Sequence, residues 1–172
     1  MIYLDYVATT PLNQDVLNTY HNLLSKYFYN ADSMYDKGIE VNRLMEHSRK
    51  LISDYLNVKE DEVIFTSCGS EANNMAIKGV AFQYQNRGKH IITTAIEHSS
   101  VYETCKELEE VFGFEVTYLP VDNRGCISLE QLESSIRDDT ILVSIMYVNN
   151  EIGVINPIEK IMVKAVYYYA QA

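Results

Sequence analysis

Apolar positions recur along this chain with two periods, and each change of period marks a change of element. Val16, Leu17, Tyr20 and Leu24 recur at helical spacing after Pro11 and Asn13, two residues that suit a helix start. From Gly38 the spacing predicts a long amphipathic helix whose inner face carries Val41, Leu44, Met45, Ser48, Leu51, Ile52, Tyr55 and Leu56. Between these two patterns, residues 27–36 have no period and are rich in Tyr, Asn, Asp and Ser, which predicts a loop. Ile2 to Tyr6 reads as a short extended segment.

After Asn57, short apolar runs alternate strictly with helical patterns. Strands are predicted at residues 62–66, 90–94, 114–119 and 140–146, and helices at 71–84, 99–112 and 128–137. The helix at 99–112 turns Val101, Cys105, Leu108 and Phe112 inward, and Ser128 with Gln131 forms a capping box for the last one. The run 140–146 is apolar enough for a strand buried on both faces. This order predicts an α/β fold built on a parallel sheet with right-handed crossovers. In such sheets ligands bind outside the carboxyl ends of the strands.

Those ends carry Ser67-Cys68-Gly69-Ser70, Glu97-His98-Ser99 and Asn149-Asn150-Glu151. A strand entering a helix through small residues leaves free N–H groups at the helix N-terminus, and with the hydroxyls of Ser67 and Ser70 these suit a phosphate. On that segment alone, ordinary capping by Ser67 or Ser70 is the simpler account. His98 could likewise cap a helix beginning near Ser99, and Asn149-Asn150 could form a turn. The meeting of all three on one edge favours a cofactor site over coincident capping.

Composition narrows the remaining classes. With 172 residues, 47% hydrophobic and 22% charged, the chain can bury a sizeable core as one domain. A formal net charge of -10 argues against nucleic acid or an anionic membrane as the principal partner. No run is long enough to span a membrane, and Met1 leads directly into Ile2-Tyr3-Leu4 without a basic leader, so a cytoplasmic protein is expected. Three cysteines, Cys68, Cys105 and Cys126, at irregular spacing fit a reducing compartment and neither a disulfide framework nor a zinc site.

Four stretches together resemble the cysteine desulfurases, the NifS/IscS-like branch of the class V aminotransferases. They are Ile2 to Pro11, Phe65-Thr66-Ser67-Cys68-Gly69-Ser70-Glu71-Ala72-Asn73-Asn74, the run from Lys89 to Glu97-His98, and the most specific, Thr140 to Gly153. The resemblance covers roughly residues 1–161. It implies a three-layer, parallel-sheet fold like the large domain of fold-type I enzymes that use pyridoxal 5'-phosphate. The domain organisation expected from it is an N-terminal segment at 1–14, a partial large domain at 15–161 and a divergent tail at 162–172. The implied reaction converts L-cysteine to L-alanine and leaves the sulfur as an enzyme persulfide for iron–sulfur or thio-cofactor assembly. A sulfur-acceptor or scaffold protein and a second copy of the chain are the implied partners.

The resemblance also assigns roles. Gly69 and Ser70 would hold the cofactor phosphate, and His98 would lie against the pyridine ring and relay protons as the catalytic residue. Asn150 would reach the cofactor's phenolic oxygen. Asn30 to Ser33 lies where the family places a loop near the substrate. Two departures fall in the phosphate turn. Cys68 stands where the family has Gly, which could matter if that position needs positive φ, and Ser70 replaces Thr but keeps the hydroxyl.

Further along, the family continues into an Asp that pairs with the pyridine nitrogen, a Ser-x-His-Lys motif with the Schiff-base lysine, and a mobile loop with the nucleophilic cysteine. No lysine here follows a histidine, and Tyr168 falls at the aspartate's place. Ile158, Ile161, Met162, Ala165, Val166 and Tyr169 continue a helical face. The chain is therefore expected to be truncated relative to the family, inactive by itself, and prone to associate through an uncovered sheet edge. Two other readings stay open: a non-catalytic remnant or binding module, and another class V activity such as selenocysteine lyase or aminotransferase.

Overall fold

The computed structural model describes residues 2–163, which divide into two compact units with the boundary in the chain between Phe65 and Thr66. In the first unit, α1 (Gln14–Lys26) starts where the Asn13 side chain accepts from the N–H groups of Asp15 and Val16, at 2.8 and 3.4 Å. The following helix, α2 (Asp36–Leu56), begins two residues before the expected Gly38 and ends on Asn57 in the left-handed region at φ 55°. Gly38 is required by close approach. A Cβ there would stand 2.5 Å from the Ser33 carbonyl oxygen and 2.8 Å from that of Asn30, so the loop lies directly on the helix's first turn.

Within this unit the expected inner face of α2 is largely uncovered. Among its residues Val41 is buried, whereas Leu51, Leu56 and, at 89%, Tyr55 are exposed. Periodicity decides which side of a helix is apolar but not whether another element covers it. The strand expected at 62–66 does not form either. Glu60–Glu62 make a single 3-10 turn, and residues 63–66 pair with no described strand. Arg49 occupies the backbone acceptor that a neighbouring strand would use, donating to the Val63 carbonyl, and its guanidinium lies 4.8 Å from the centre of the Phe65 ring.

The second unit holds α3 (Gly69–Tyr84), β1 (His90–Thr94), α4 (Ser99–Phe112), β2 (Glu115–Leu119), α5 (Leu129–Ser135) and β3 (Thr140–Val143). The three strands form one parallel sheet in the order β2-β1-β3, so the expected parallel α/β architecture is present with three described strands in place of four. The bounds of β1 and α4 coincide with those expected from the sequence. β3 ends three residues early, although Ser144 N–H still donates to the Ile92 carbonyl at 2.8 Å. α5 is shorter than expected, and its N-cap is Ser128, whose hydroxyl accepts from Gln131 N–H at 3.2 Å. Phe112 is exposed at the end of α4 and meets the Phe82 ring edge-on at 5.1 Å, where an inward position was expected.

Helices cover both faces of this sheet. Ile91 packs with Ile77 and Ala81 of α3, Val101, Cys105 and Leu108 of α4, and Phe114. Ile92, the next residue, points the other way and packs with Leu132 of α5 and with Leu119, Ile127, Ile136 and Ile161. Residues 158–163 are helical, and the expectations placed on Ala165, Val166, Tyr168, Tyr169 and the rest of 164–172 lie outside the described residues. Across the sheet, buried His90 joins all three strands. Its Nδ1 is 2.7 Å from Thr140 Oγ1 and its Nε2 is 2.8 Å from Thr117 Oγ1. Among the described residues no helix is long and apolar enough to cross a membrane.

Candidate functional site

The phosphate-type turn opens α3. Cys68 is the N-cap residue with φ -165° and ψ 171°, extended backbone open to any residue, so cysteine fits where the family has glycine. Neither Ser67 nor Ser70 caps the helix. Ser67 instead donates both its N–H and its hydroxyl to Glu71 Oε2, at 2.6 and 2.7 Å, and no side-chain oxygen caps the first turn. The Cys68 thiol lies against the outward-facing amides. Hydrogen bonds from Glu71 N–H, from the Ser67 hydroxyl and from Ser70 N–H pull its pKa below the ordinary thiol value. These are donors arranged to favour negative charge. A Cβ on Gly69 would meet nothing within 4 Å, and Ser70 is exposed beside it. Amides that no side-chain oxygen caps, a nearby hydroxyl and open ground together fit a phosphate group.

His98 is the N-cap of α4, so the capping role expected as an alternative is real. Its Nδ1 accepts from Ser100 N–H at 3.2 Å and lies 2.8 Å from Ser100 Oγ. That hydroxyl accepts from Asn73 Nδ2 at 2.8 Å, joining the second turn of α3 to the first turn of α4. Capping occupies Nδ1 alone and is compatible with a second role for the exposed ring.

Beyond β3 the chain turns back through residues 149–153, with Gly153 at φ 69° and a bridge between Val148 and Ile155. Asn149 builds the turn. Its Oδ1 accepts from Glu151 and Ile152 N–H at 2.9 and 3.0 Å, and its Nδ2 donates to the Ile96 carbonyl at 3.0 Å. Glu97 makes a parallel tie, its Oε1 accepting from Met146 N–H and from the Thr94 hydroxyl. Buried Asn156 donates to the Met146 carbonyl at 3.0 Å. Asn150 is left exposed at the tip, donating to its neighbour Glu151 at 3.1 Å.

The structure thus gathers the expected residues along the carboxyl edge of the sheet. Gly69 and Ser70 open α3, His98 opens α4, and Asn150 sits on a turn stapled to the β1–α4 loop. Sequence reasoning placed Glu97 and Asn149 at this rim and Asn73 in the phosphate turn without seeing that they hold the site together, and it missed Asn156 and Ser100. The one advance signal was polar residues placed inside or beside apolar runs, where burial demands a partner. No group of three or more metal-binding side chains occurs among the described residues.

The fold has counterparts among known proteins. The aminotransferase class V family matches residues 2–170. A cysteine desulfurase IscS from Dictyoglomus turgidum is 49% identical over 160 residues, 93% of this chain and 40% of the relative. The cysteine desulfurase IscS of Methanosarcina thermophila is 48% identical over 160 residues, 93% of this chain and 39% of its own length. The chain therefore spans about two fifths of the length of these curated relatives. Among solved structures, a NifS-like protein superposes with a TM-score of 0.90 at 42% identity, covering 95% of this chain and 44% of that one. SspA in complex with cysteine superposes with a TM-score of 0.89 at 39% identity, covering 96% and 48%. The chain belongs to the class V aminotransferase family, where its relatives are IscS/NifS cysteine desulfurases.

Proposed function

We propose that this chain supplies the phosphate-binding and ring-binding part of a pyridoxal 5'-phosphate-dependent cysteine desulfurase. The observation that carries the reading is the uncapped N-terminus of α3, held on the same sheet edge as His98 and Asn150. When bound, the cofactor would draw electrons from the α-carbon of L-cysteine and so weaken the carbon–sulfur bond. Gly69 and Ser70 would hold its phosphate through first-turn N–H groups and the Ser70 hydroxyl. His98 would lie against the ring, exclude water from that face and hold a proton at Nε2. Asn150 would turn its amide from Glu151 toward the phenolic oxygen.

A neighbour solved with cysteine supports cysteine as the substrate class. The Ser-x-His-Lys lysine and the loop cysteine implied by the resemblance have no counterpart in these residues, so little or no desulfurase activity is proposed for the chain alone. We propose further that residues 15–161 act as one part of the large domain, after a segment at 1–14 and before a distinct tail at 162–172. The active form would be a cytoplasmic homo-oligomer that delivers sulfur to an acceptor or scaffold protein.

Titrating the purified chain with pyridoxal 5'-phosphate tests the reading. Saturable binding that inorganic phosphate displaces is expected, with no sulfide released from L-cysteine. Absence of phosphate-competed binding would overturn the cofactor role, and sulfide release by the chain alone would overturn the proposed inactivity.

A further inference from the structure

The bond path from α3 to His98 does more than cap a helix. A neutral imidazole has one nitrogen with a lone pair and one with a proton, and the partners of one fix the state of the other. Ser100 N–H can only donate, and it points at His98 Nδ1 at 3.2 Å. A proton on Nδ1 would place two donors face to face. The Ser100 hydroxyl lies 2.8 Å from the same nitrogen and accepts from Asn73 Nδ2 at 2.8 Å, which leaves its own proton free to point at Nδ1. Thr104 Oγ1 donates to the Ser100 carbonyl at 2.8 Å and holds that residue's backbone in the same turn.

The cap itself needs only the Ser100 N–H. The hydroxyl and the amide reaching across from α3 are additional, and both act on the tautomer and the angle of the ring. Asn73 lies three residues beyond Ser70 in α3, so the helix that presents the phosphate amides also sets the imidazole.

We propose that Ser100 is a positioning residue that locks His98 as the Nε2–H tautomer, with Asn73 holding the Ser100 hydroxyl in its donating orientation. The lock leaves Nε2 as the nitrogen that meets a ligand and makes it the sole route for proton exchange. Nδ1 cannot take a proton without losing the bond from Ser100 N–H and reversing the one to the Ser100 hydroxyl. The role assigned to His98 rests on the cofactor reading, whereas the tautomer lock is a property of the chain itself.

Imidazole nitrogen NMR on the full chain tests it, with the His98 signals identified by their loss in His98→Gln. The wild type is expected to keep Nδ1 unprotonated and Nε2 protonated near neutral pH, beyond the tautomer ratio of the same chain in denaturant. Ser100→Ala removes the hydroxyl and keeps the N–H, so it should shift His98 about fivefold toward that denatured ratio, the effect of one neutral hydrogen bond lost. Ser100→Thr should restore the lock, and Asn73→Ala should weaken it. A wild-type ratio equal to the denatured one would overturn the proposal whether or not the alanine variant folds, and so would a folded Ser100→Ala with the wild-type ratio. Adding pyridoxal 5'-phosphate to the same sample separates the two readings. A locked tautomer without binding supports the lock and removes the cofactor role, while binding to an unlocked ring does the reverse.

Discussion

The backbone N–H of Met146 donates to the carboxylate of Glu97 across 2.9 Å, joining the chain beyond β3 to the loop that delivers His98. The same oxygen accepts the Thr94 hydroxyl at 2.9 Å. Burial raises the Glu97 pKa, and these two donors offset part of that rise. The tie thus needs an acceptor more than a charge. Glu97→Gln should stay within about 1 kcal/mol of wild type in urea denaturation, whereas Glu97→Ala should lose about 2 kcal/mol by stranding Met146 N–H. With the folded pKa raised, the carboxyl's contribution is fully present below its unfolded value and is lost as pH rises through the folded one. The glutamine variant should lack that dependence.

His90 has the opposite sign. Burial, with the Arg137 charge acting in the same direction, lowers its pKa, against smaller opposing effects of Asp139 and Glu115. The unfolded chain then binds this proton more readily than the folded one. Its contribution is present above the ordinary histidine value and is lost as pH falls from there through the lowered folded value. Thermal midpoints should therefore drop as pH falls below the ordinary histidine value, and His90→Gln should flatten that slope. An equal slope in the variant would show that other groups govern it.

Two glycines separate fold from ligand. A Cβ on Gly88 would collide with the Asp139 carbonyl and lie 2.7 Å from its Cα, all rigid backbone. That carbonyl accepts His90 N–H at 3.1 Å, so Gly88→Ala should cost about 2 kcal/mol or more in denaturation. Gly69→Ala meets nothing and should raise helix stability by up to about 1 kcal/mol. Because helical Cβ atoms lean toward the N-terminus, the added methyl crowds the first-turn amides, and phosphate-competed binding should weaken. A more stable protein with poorer ligand binding is the expected pair of results.

The cysteines offer a chemical readout of the same turn. Cys68 is exposed with a lowered pKa, while burial pushes the Cys105 thiol up to about 11. Iodoacetamide at neutral pH should alkylate Cys68 first and leave Cys105 untouched until unfolding, as peptide mass mapping would show. Pyridoxal 5'-phosphate or inorganic phosphate should slow the reaction at Cys68 by competing for its amide donors. Protection at Cys105 instead would place the ligand elsewhere.

What the sequence made legible was mostly local. Gly113 at φ 67° ends α4 and His98 starts it, so an element bounded by its own caps was readable to the residue. Ser128 and Asn13 were readable for the same reason. Val63 to Thr66 is an apolar run rich in β-branched residues, like a strand, but a strand exists only beside another, and no local pattern reports that partner. The edge bearing Gly69, Ser70, His98 and Asn150 followed from topology. Its supports did not, because Asn149 reaches Ile96 and Glu97 reaches Met146 across about fifty residues of intervening chain.

β1 belongs to two interiors at once. Ile91 and Ile92 are adjacent, fully buried and on opposite sides of the sheet. Neither helical layer can come away without exposing one side of the same strand, so the layers are thermodynamically coupled through it. Loosening of α5 is felt by α3 and α4, whose N-termini frame the candidate site, with no contact between the layers needed to carry the effect.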